Sequence, residues 1–226
     1  MSLDPEKFGD LDTFYSFHYQ KVLRAGLVGK AQDRTHKALE KRARPGQRFP
    51  RVLEVGAGNG EHFPFVRHEF DEYVESDLRE DGRREDTDPR RTFTIADAQD
   101  LPFEDNDFDR VVATCLLLHL PMPEMALREW RRVTKPGGQL DLLVPCDPGF
   151  LVRLMRWFLT APAVRRSGFR GYKLFNARDH RNHIGSINEL VRWVFRADEL
   201  RVTRYPLKIP SWNLNAYFIY SIKVTE

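Results

Sequence analysis

Three glycines alternate with other residues in one short loop, at Gly56, Gly58 and Gly60. Glycine lets a backbone turn tightly and approach a bound molecule closely, because no Cβ stands in between. A carboxylate flanks the loop on each side, Glu54 before it and Glu61 after it. At the start of a helix, a carboxylate opposes a bound pyrophosphate but is no obstacle to a phosphate-free ligand with a positive charge. The loop therefore favours a cationic nucleoside over a dinucleotide.

Acidic residues also follow the next two predicted strands. Asp77 stands at the distance from the loop where such a residue commonly binds ribose hydroxyls, although a surface carboxylate could occupy the same position. Asp97 and Ala98 follow the third predicted strand, where a carboxylate and a backbone amide could meet the edge of an adenine. Asp97 could instead cap a turn. These positions predict nucleoside contacts along one edge of a sheet.

Seven β-rich runs would position these residues. The predicted strands are 51–55, 73–76, 92–95, 110–113, 139–144, 200–205 and 216–224. Strands that alternate with helices predict an α/β fold with a doubly wound, Rossmann-like sheet of seven strands and helices on both faces. A helix is expected directly after the glycine loop, a helical region with a break near Gly26 and Gly29 before it, and a capping box at Ser186. The short link between strands six and seven predicts a mostly parallel sheet with an antiparallel seventh strand.

The overall composition restricts the kinds of partner and compartment. The net charge of +3 comes from 36 basic and 33 acidic side chains, so no polyanionic partner such as nucleic acid is expected. Two cysteines, Cys115 and Cys146, argue against a disulfide framework and indicate a reducing, cytoplasmic location. The N-terminus lacks the apolar core of a signal peptide. The most apolar stretches, 115–120 and 150–159, are too short to span a bilayer.

Four stretches resemble one protein family in that family's usual order. They are LEVGAGNG, ESDL, ADAQDLPFEDNDFDRVVATCLLLHL and ALREWRRVTKPGGQLDLLVP, and the segment 52–145 that holds them is about two-fifths of the chain. This segment resembles the class I S-adenosylmethionine-dependent methyltransferases, especially their small-molecule branch. The resemblance implies that the chain binds S-adenosylmethionine and passes its methyl group to another molecule. That family also has a reversed seventh strand beside the sixth.

The resemblance assigns cofactor contacts to particular residues. Glu54 and the three glycines would line the methionine part, Asp77 would hold the ribose, and the pair at 97–98 would hold the adenine. The full predicted set is Glu54, Gly56, Gly58, Gly60, Asp77, Leu78, Asp97, Ala98 and Cys115. Residues 114–117 read Thr-Cys-Leu-Leu, whereas amino-methylating nucleic-acid and glutamine enzymes carry an acidic residue or Asn followed by Pro-Pro-aromatic there. This difference disfavours a nucleic-acid acceptor.

Histidines supply the predicted catalytic groups. Methyl transfer is an in-line displacement, so the protein chiefly aligns the reactants and excludes water, and it needs a base only if the acceptor carries a proton. His119 follows the fourth predicted strand near the expected methyl group, although it could equally be a packed histidine. His183 is the second predicted catalytic residue, and His180 could also face the acceptor. The spacing of His180 and His183 suits metal ligands. No further ligand is close in sequence, so no metal site is predicted.

The chain length fits a single methyltransferase domain with four regions. Residues 1–50 would form an N-terminal helical cap, 51–145 the cofactor-binding core, 146–185 a substrate-side insertion, and 186–226 a C-terminal helix and two strands. In the family that the chain resembles, the cap often closes over the cofactor. Its residues Tyr15 and Tyr19 could therefore face the cofactor or pack in an aromatic core.

The insertion combines aromatic residues with arginines, and four roles are open for it. Arg153 and Arg156 interrupt an apolar stretch that contains Trp157. The arginines could bind an anionic acceptor as part of a lid, or the stretch could dock on anionic lipid. The segment could also form a dimer surface, or pack on the sheet with its arginines in water.

The predicted function is methyl transfer from S-adenosylmethionine to an oxygen or nitrogen of a small or carrier-linked acceptor, by a monomer or homodimer. One alternative is a peripheral membrane lipid methyltransferase, since a membrane surface could be a partner. A second alternative is a non-catalytic module that binds S-adenosylmethionine. A third is a nicotinamide oxidoreductase, which would use the same glycine loop for a pyrophosphate cofactor.

Overall fold

The computed structural model describes residues 10–24, 26–44, 46–80 and 88–226, so the predicted cap residues 1–9 lie outside the described residues. A seven-stranded sheet forms the centre of the protein. Its strands are β1 (Arg51–Val55), β2 (Glu72–Asp77), β3 (Arg91–Ile95), β4 (Phe108–Thr114), β5 (Thr134–Pro145), β6 (Glu199–Tyr205) and β7 (Tyr217–Lys223). The strand order is β3-β2-β1-β4-β5-β7-β6. All seven predicted strands are present.

The strand directions confirm the predicted fold class. Strands β1 to β5 pair in parallel, with Leu53 of β1 opposite Val74 of β2 and Val111 of β4. Strand β7 runs antiparallel to both of its neighbours, β5 and β6. Central parallel strands are buried on both faces, and most residues of β1 and β4 are buried, including the charged Glu54 and Arg110.

Helices cover both faces of the sheet. They are α1 (Leu11–Thr13), α2 (Tyr19–Leu23), α3 (Gly26–Glu40), α4 (Pro123–Val133), α5 (Phe150–Met155), α6 (Ala161–Arg166), α7 (Tyr172–Asp179) and α8 (Ile184–Val194). π-helical segments at Phe14–His18 and Arg156–Thr160 join α1 to α2 and α5 to α6. The single break predicted near Gly26 and Gly29 is confirmed, because α2 ends at Leu23 and α3 begins at Gly26 with φ at 59°; Gly29 itself lies inside α3.

Each face of the sheet has its own apolar core. Helices α4 and α8 pack on one face, where Trp130 and Val191 are fully buried against residues such as Leu140. On the other face, Leu39 of α3 packs against Val112 of β4. Burying one large apolar side chain contributes about 1.5–3 kcal/mol relative to its exposed state, so both cores hold the sheet edge rigidly.

The helix predicted directly after the glycine loop does not form. A single 3₁₀ turn, Phe63–Phe65, stands there, and the chain reaches β2 without an α-helix. Pro64 supplies no N–H donor, and the buried His62 side chain lies 3.1 Å from Glu40 Oε1 on α3. Glu61 therefore does not stand at a helix N-terminus, and its Oε2 instead accepts a hydrogen bond from the amide of Asn59 at 3.0 Å.

Helix α8 begins two residues before the predicted capping box. Its N-cap is His183, whose Nδ1 accepts from the amide of Ser186 at 3.5 Å. The hydroxyl of Ser186 donates to the carbonyl of His183 at 2.9 Å. The expectation of a cap at Ser186 is therefore wrong in position, because an imidazole takes the role that a hydroxyl was predicted to have.

A fully buried arginine links α3 to the sheet. The Nη1 of Arg110 donates to Glu40 Oε1 at 2.8 Å, and its Nη2 donates to Asp141 Oδ2 at 2.8 Å. Burial raises the pKa of Glu40, but its hydrogen bond to His62 and the charge of Arg110 lower the pKa overall to about 2. Beside this network, burial lowers the pKa of His36 to about 3. These buried charges depend on one another for compensation.

The N-terminal helices pack on the insertion through aromatic rings. Phe14 contacts Phe169 and Phe175 of the insertion, with ring centroids 4.9 Å and 4.2 Å away. Val22 and Val164 are buried in the same cluster. Across the described ranges, the helices are too short or too polar to cross a membrane.

Candidate active site

The glycine loop runs from the end of β1 along the carboxyl edge of the sheet. Gly56, Gly58 and Gly60 have φ angles of 70°, 56° and 74°, a conformation that favours glycine. A Cβ added at Gly56 would lie 2.7 Å from Leu116 Cδ2, and one added at Gly58 would lie 3.0 Å from Glu61 Oε2. The backbone therefore leaves room for a ligand only while these positions lack side chains.

Asp77 at the end of β2 is joined directly to this loop. Its Oδ2 accepts a hydrogen bond from the amide of Gly58 at 2.9 Å, and its Oδ1 accepts from the amide of Arg79 at 3.2 Å. Leu78 follows with an exposed side chain. Gly58 and Asp77, which the sequence assigned to one ligand, thus lie side by side. The carboxylate keeps further lone pairs for the hydroxyl groups of a ribose.

Glu54 lies beneath the loop rather than in it. The side chain is fully buried in β1, and its Oε2 accepts from the Tyr73 hydroxyl at 2.8 Å. Burial and the neighbouring Glu75 raise the pKa of Glu54 well above its ordinary value. The negative charge that the sequence suggested at this position is therefore weakened, and Glu54 supports the loop from below.

The third and fourth strands bring the remaining predicted cofactor residues to the same edge. Oδ1 of Asp97 accepts from the amide of Gln99 at 2.9 Å, which forms the turn that was the alternative reading of this residue. Ala98 is buried, and its carbonyl accepts from Trp130 Nε1 at 2.9 Å. Cys115 has a φ of 59°, and burial raises the pKa of its thiol to about 12. The thiol is therefore a contact group and no nucleophile.

Tyr19 of the N-terminal cap packs against the aromatic cluster around Phe14, and its ring centroid lies 5.6 Å from that of Tyr15. Burial, followed by the negative charge of Glu61, raises the pKa of Tyr19 above its ordinary value. Of the two roles predicted for this tyrosine, its contacts therefore agree with packing in an aromatic core.

Across from the loop, four side chains form a histidine–aspartate cluster, which we define as His119, His180, Asp147 and Asp179. Nδ1 of His119 lies 3.2 Å from Asp179 Oδ1, and Nε2 of His180 lies 3.8 Å from Asp179 Oδ2. The two imidazole rings have centroids 5.1 Å apart. Tyr15 donates its hydroxyl proton to Asp179 Oδ2 at 2.9 Å. Burial raises the pKa of Asp179, but hydrogen bonds from His119 and Tyr15 lower it overall.

Asp147 supports the cluster from the end of β5. Its Oδ2 bonds to Nδ1 of His180 and accepts from Nη2 of Arg156 at 2.6 Å. Burial raises the pKa of Asp147, but these two partners lower it overall to about 2. The side-chain amide of Asn182 donates from its Nδ2 to the carbonyl of Leu117 at 2.9 Å and to that of Leu120 at 2.7 Å. The insertion is thereby fixed to the loop that carries His119.

The predicted catalytic residues have different surroundings. His119 belongs to the cluster, whereas His183 is exposed and caps α8. His180, the other candidate in the insertion, is the histidine that contacts His119. Asp147 and Asp179 were missed, because each stands in a different segment and only the fold brings them together. The one sequence signal is that Asp147 follows the end of a strand, whereas Asp179 ends α7 and has no such signal.

The comparisons with known proteins concern the part of the chain that carries the loop. Residues 53–142 match a family described as "Methyltransferase domain". The phosphatidylethanolamine N-methyltransferase of Cereibacter sphaeroides is 32% identical over 136 residues, which are 57% of this chain and 62% of the relative. The demethylmenaquinone methyltransferase of Renibacterium salmoninarum is 40% identical over 111 residues, 47% of this chain and 44% of the relative. The chain thus spans less than two thirds of either relative.

Solved structures share the fold over nearly the whole chain. A structure from Thermotoga maritima, described as an S-adenosylmethionine-dependent methyltransferase, has a TM-score of 0.63 at 17% identity. The match covers 95% of this chain and 99% of that one. At this identity the likeness concerns the arrangement of the seven strands and their helices, which agrees with the sheet described above.

Proposed function

We propose that the chain transfers the methyl group of S-adenosylmethionine to an oxygen or nitrogen of a small or carrier-linked acceptor, and the match of residues 53–142 to a methyltransferase domain supports this. The observation that carries the proposal is the hydrogen bond between Gly58 and Asp77, which joins the loop to the carboxylate that would hold the ribose. Cys115 and Cys146 are both free thiols, which fits a reducing, cytoplasmic setting.

The residues of the sheet edge fit this cofactor. Gly56 and Gly58 keep the loop open to close approach, Asp77 would hold the ribose, and residues 97–98 would flank the adenine. S-adenosylmethionine, when bound, supplies a methyl group that is activated by a positive sulfonium.

The histidine–aspartate cluster fits the acceptor side. An O–H or N–H acceptor must give up a proton when its oxygen or nitrogen gains a methyl group. The imidazoles of His119 and His180 can receive that proton, and Asp179 and Asp147 hold their rings in place. The protein therefore aligns the reactants from two sides, with glycines and Asp77 on one side and imidazoles on the other.

Calorimetry with S-adenosylhomocysteine and with NAD tests the cofactor, and turnover of labelled S-adenosylmethionine tests the activity. We expect saturable heat with the first ligand and none with NAD. Binding of the nucleoside without turnover on any acceptor would favour a non-catalytic binding module. Tight binding of NAD in its place would refute the proposal and favour an oxidoreductase.

One surface supports a second candidate, a peripheral membrane lipid methyltransferase. Helix α5 and the π-helical segment after it expose Trp157 at 69% and Phe158 and Phe150 at 61% each. Arg153 is exposed beside them. Large exposed apolar residues next to arginines suit the boundary of an anionic bilayer. The phosphatidylethanolamine N-methyltransferase among the relatives agrees with this candidate.

Sedimentation with vesicles separates the two candidates. Anionic vesicles should pull down the wild type, and Trp157→Ala should reduce the bound fraction severalfold if the surface binds lipid. Trp193→Ala is the matched control, because Trp193 is 55% exposed but lies on α8. Absence of the wild type from the vesicle pellet would leave a soluble acceptor as the remaining candidate.

A further inference from the structure

The arrangement of the histidine–aspartate cluster suits a metal ion. His119, Asp179 and His180 each offer one ligand atom, and these atoms all lie within 4.8 Å of one another. The closest pair, His119 Nδ1 and Asp179 Oδ1, is 3.2 Å apart, and His180 Nε2 lies 3.8 Å from Asp179 Oδ2. Ligand atoms about 2.0–2.2 Å from one tetrahedral zinc ion would stand roughly 3.3 Å apart. The two measured distances end on different oxygens of Asp179, so side-chain rotations that bring one of these oxygens towards both imidazoles are needed to complete the geometry.

The carboxylate of Asp147 contacts His180 in the way that a supporting residue contacts a metal-binding histidine. Asp147 bonds to Nδ1 of His180, which leaves Nε2 directed at Asp179. Metal-binding histidines commonly use a carboxylate in this way, because it fixes the tautomer and the orientation of the ring. Oδ1 of Asp147 is also buried with no hydrogen-bond partner within the described residues. A buried carboxylate oxygen in this state indicates a missing positive or donating group.

The three ligands come from rigid parts of the fold. His119 lies in the loop after β4, and Asp179 ends α7. The amide of Arg181 donates to the carbonyl of Leu118 at 2.9 Å, so the insertion and that loop are joined by backbone as well. A site that is held by two elements in this way needs little ordering when an ion binds.

From this geometry we propose that His119, Asp179 and His180 bind a divalent transition-metal ion of the zinc type, with Asp147 as the outer support. Two imidazoles and one carboxylate are a donor set that zinc and related ions prefer. Three protein ligands leave a fourth position open, as in catalytic zinc sites. If the proposed function holds, an acceptor oxygen would take that position, the ion would polarise it in place of proton transfer to the two imidazoles, and its proton would leave to solvent.

Calorimetry on the untagged, chelator-treated full chain tests the site with Zn²⁺. We expect one saturable ion per chain, and Co²⁺ should give the absorption bands of a low-coordinate nitrogen and oxygen site. His180→Ala should weaken Zn²⁺ binding by more than about 100-fold. Asp147→Asn, which removes only the outer support, should weaken it by about 10- to 100-fold.

A matched control uses the exposed histidine of the same segment. His183→Asn keeps a good N-cap on α8, and it should bind Zn²⁺ as the wild type does. Equal loss of Zn²⁺ binding in His183→Asn and His180→Ala would overturn the proposal, and so would an absence of saturable binding to the wild type. Thermal unfolding of each variant identifies a protein that has simply failed to fold.

The cofactor titration keeps this inference separate from the proposed function. Heat with S-adenosylhomocysteine but none with Zn²⁺ refutes the metal site and leaves methyl transfer intact, with the imidazoles as hydrogen-bonded bases. Heat with Zn²⁺ but none with S-adenosylhomocysteine supports the metal site and refutes the proposed function.

Discussion

Asp77→Ala tests the cofactor site most directly. In the wild type, Asp77 fixes the loop through Gly58 at 2.9 Å, and its carboxylate has lone pairs to spare for two ribose hydroxyls. A hydrogen bond to a charged group contributes about 1.5–3 kcal/mol. The substitution removes at least one such bond to the ligand, so binding of S-adenosylhomocysteine should weaken by about 10- to 150-fold.

Asp77→Asn should fall between Asp77→Ala and the wild type, because the amide oxygen still accepts while the charge is lost. Isothermal calorimetry measures all three proteins. Asp71→Ala is the control, since Asp71 is exposed at the opposite end of β2 and pairs with Arg48 on the surface. If Asp77→Ala remains folded and binds the nucleoside within about twofold of the wild type, the placement of the ribose is refuted.

Three further substitutions test the loop, the buried arginine and acid stability. Gly58→Val should nearly abolish calorimetric binding of S-adenosylhomocysteine, because a side chain at a φ of 56° costs about 1–2 kcal/mol and would also fill the ligand space. Arg110→Met should lower the free energy of unfolding in urea by about 3–5 kcal/mol, because it leaves two buried carboxylates without their arginine partner. His36→Gln should lower the free energy of unfolding, measured by urea titration, at pH 7.5. At pH 5 this loss should be smaller by about 2 kcal/mol.

The sign of the pH effect follows from the direction of the shift. Burial lowers the pKa of His36 from 6.5 to about 3. As the pH falls, the imidazole of the unfolded chain therefore takes up a proton near pH 6.5, whereas that of the folded protein stays neutral until about pH 3. The contribution of the neutral imidazole is complete above about pH 6.5 and is lost as the pH falls towards 3. A difference between wild type and His36→Gln that is constant from pH 7.5 to 5 would contradict this reasoning.

The substitutions Gly58→Val and Arg110→Met each have a matched control variant on the same chain. Gly168→Val has the same backbone cost, with φ at 84°, but a Cβ there meets nothing within 4 Å, so cofactor binding should persist. Arg128→Met removes an exposed pair with Glu124 and should change the unfolding free energy by about 0.5 kcal/mol or less. Binding by Gly58→Val equal to that of Gly168→Val, or equal stability losses in the two arginine variants, would contradict the predictions.

The sheet edge that carries the predicted cofactor residues was predictable from the sequence because its parts are local. These residues lie at the end of a strand or shortly after it, and most buried strands are visible as β-rich apolar runs. The glycines at 56, 58 and 60 all adopt positive φ, as their type suggests. The missing helix after the loop was not predictable in this way. There His62 is drawn to Glu40, a residue of α3 that is 22 positions away, and the tertiary contact decides the local structure.

The acceptor side was predictable only in fragments. His119 and Asp179 are 60 positions apart, and Tyr15 and Asp179 are 164 apart, so no spacing rule connects them. His183 was preferred as a catalytic residue, whereas in the structure its ring caps a helix. Side chains that meet through long loops depend on the packing of the insertion, and that packing leaves no periodic pattern in the sequence.

One short helical run contacts both the histidine–aspartate cluster and the aromatic core of the insertion. Tyr15 donates a hydrogen bond to Asp179 at 2.9 Å, and Tyr19 packs against the aromatic cluster around Phe14. The two tyrosines are four positions apart, so they face the same side of the run, and their ring centroids are 5.6 Å apart. Moving this run away would therefore remove a hydrogen bond from Asp179 and separate aromatic contacts with the insertion in one motion. The N-terminal cap and the cluster are consequently coupled by two residues of one helical turn.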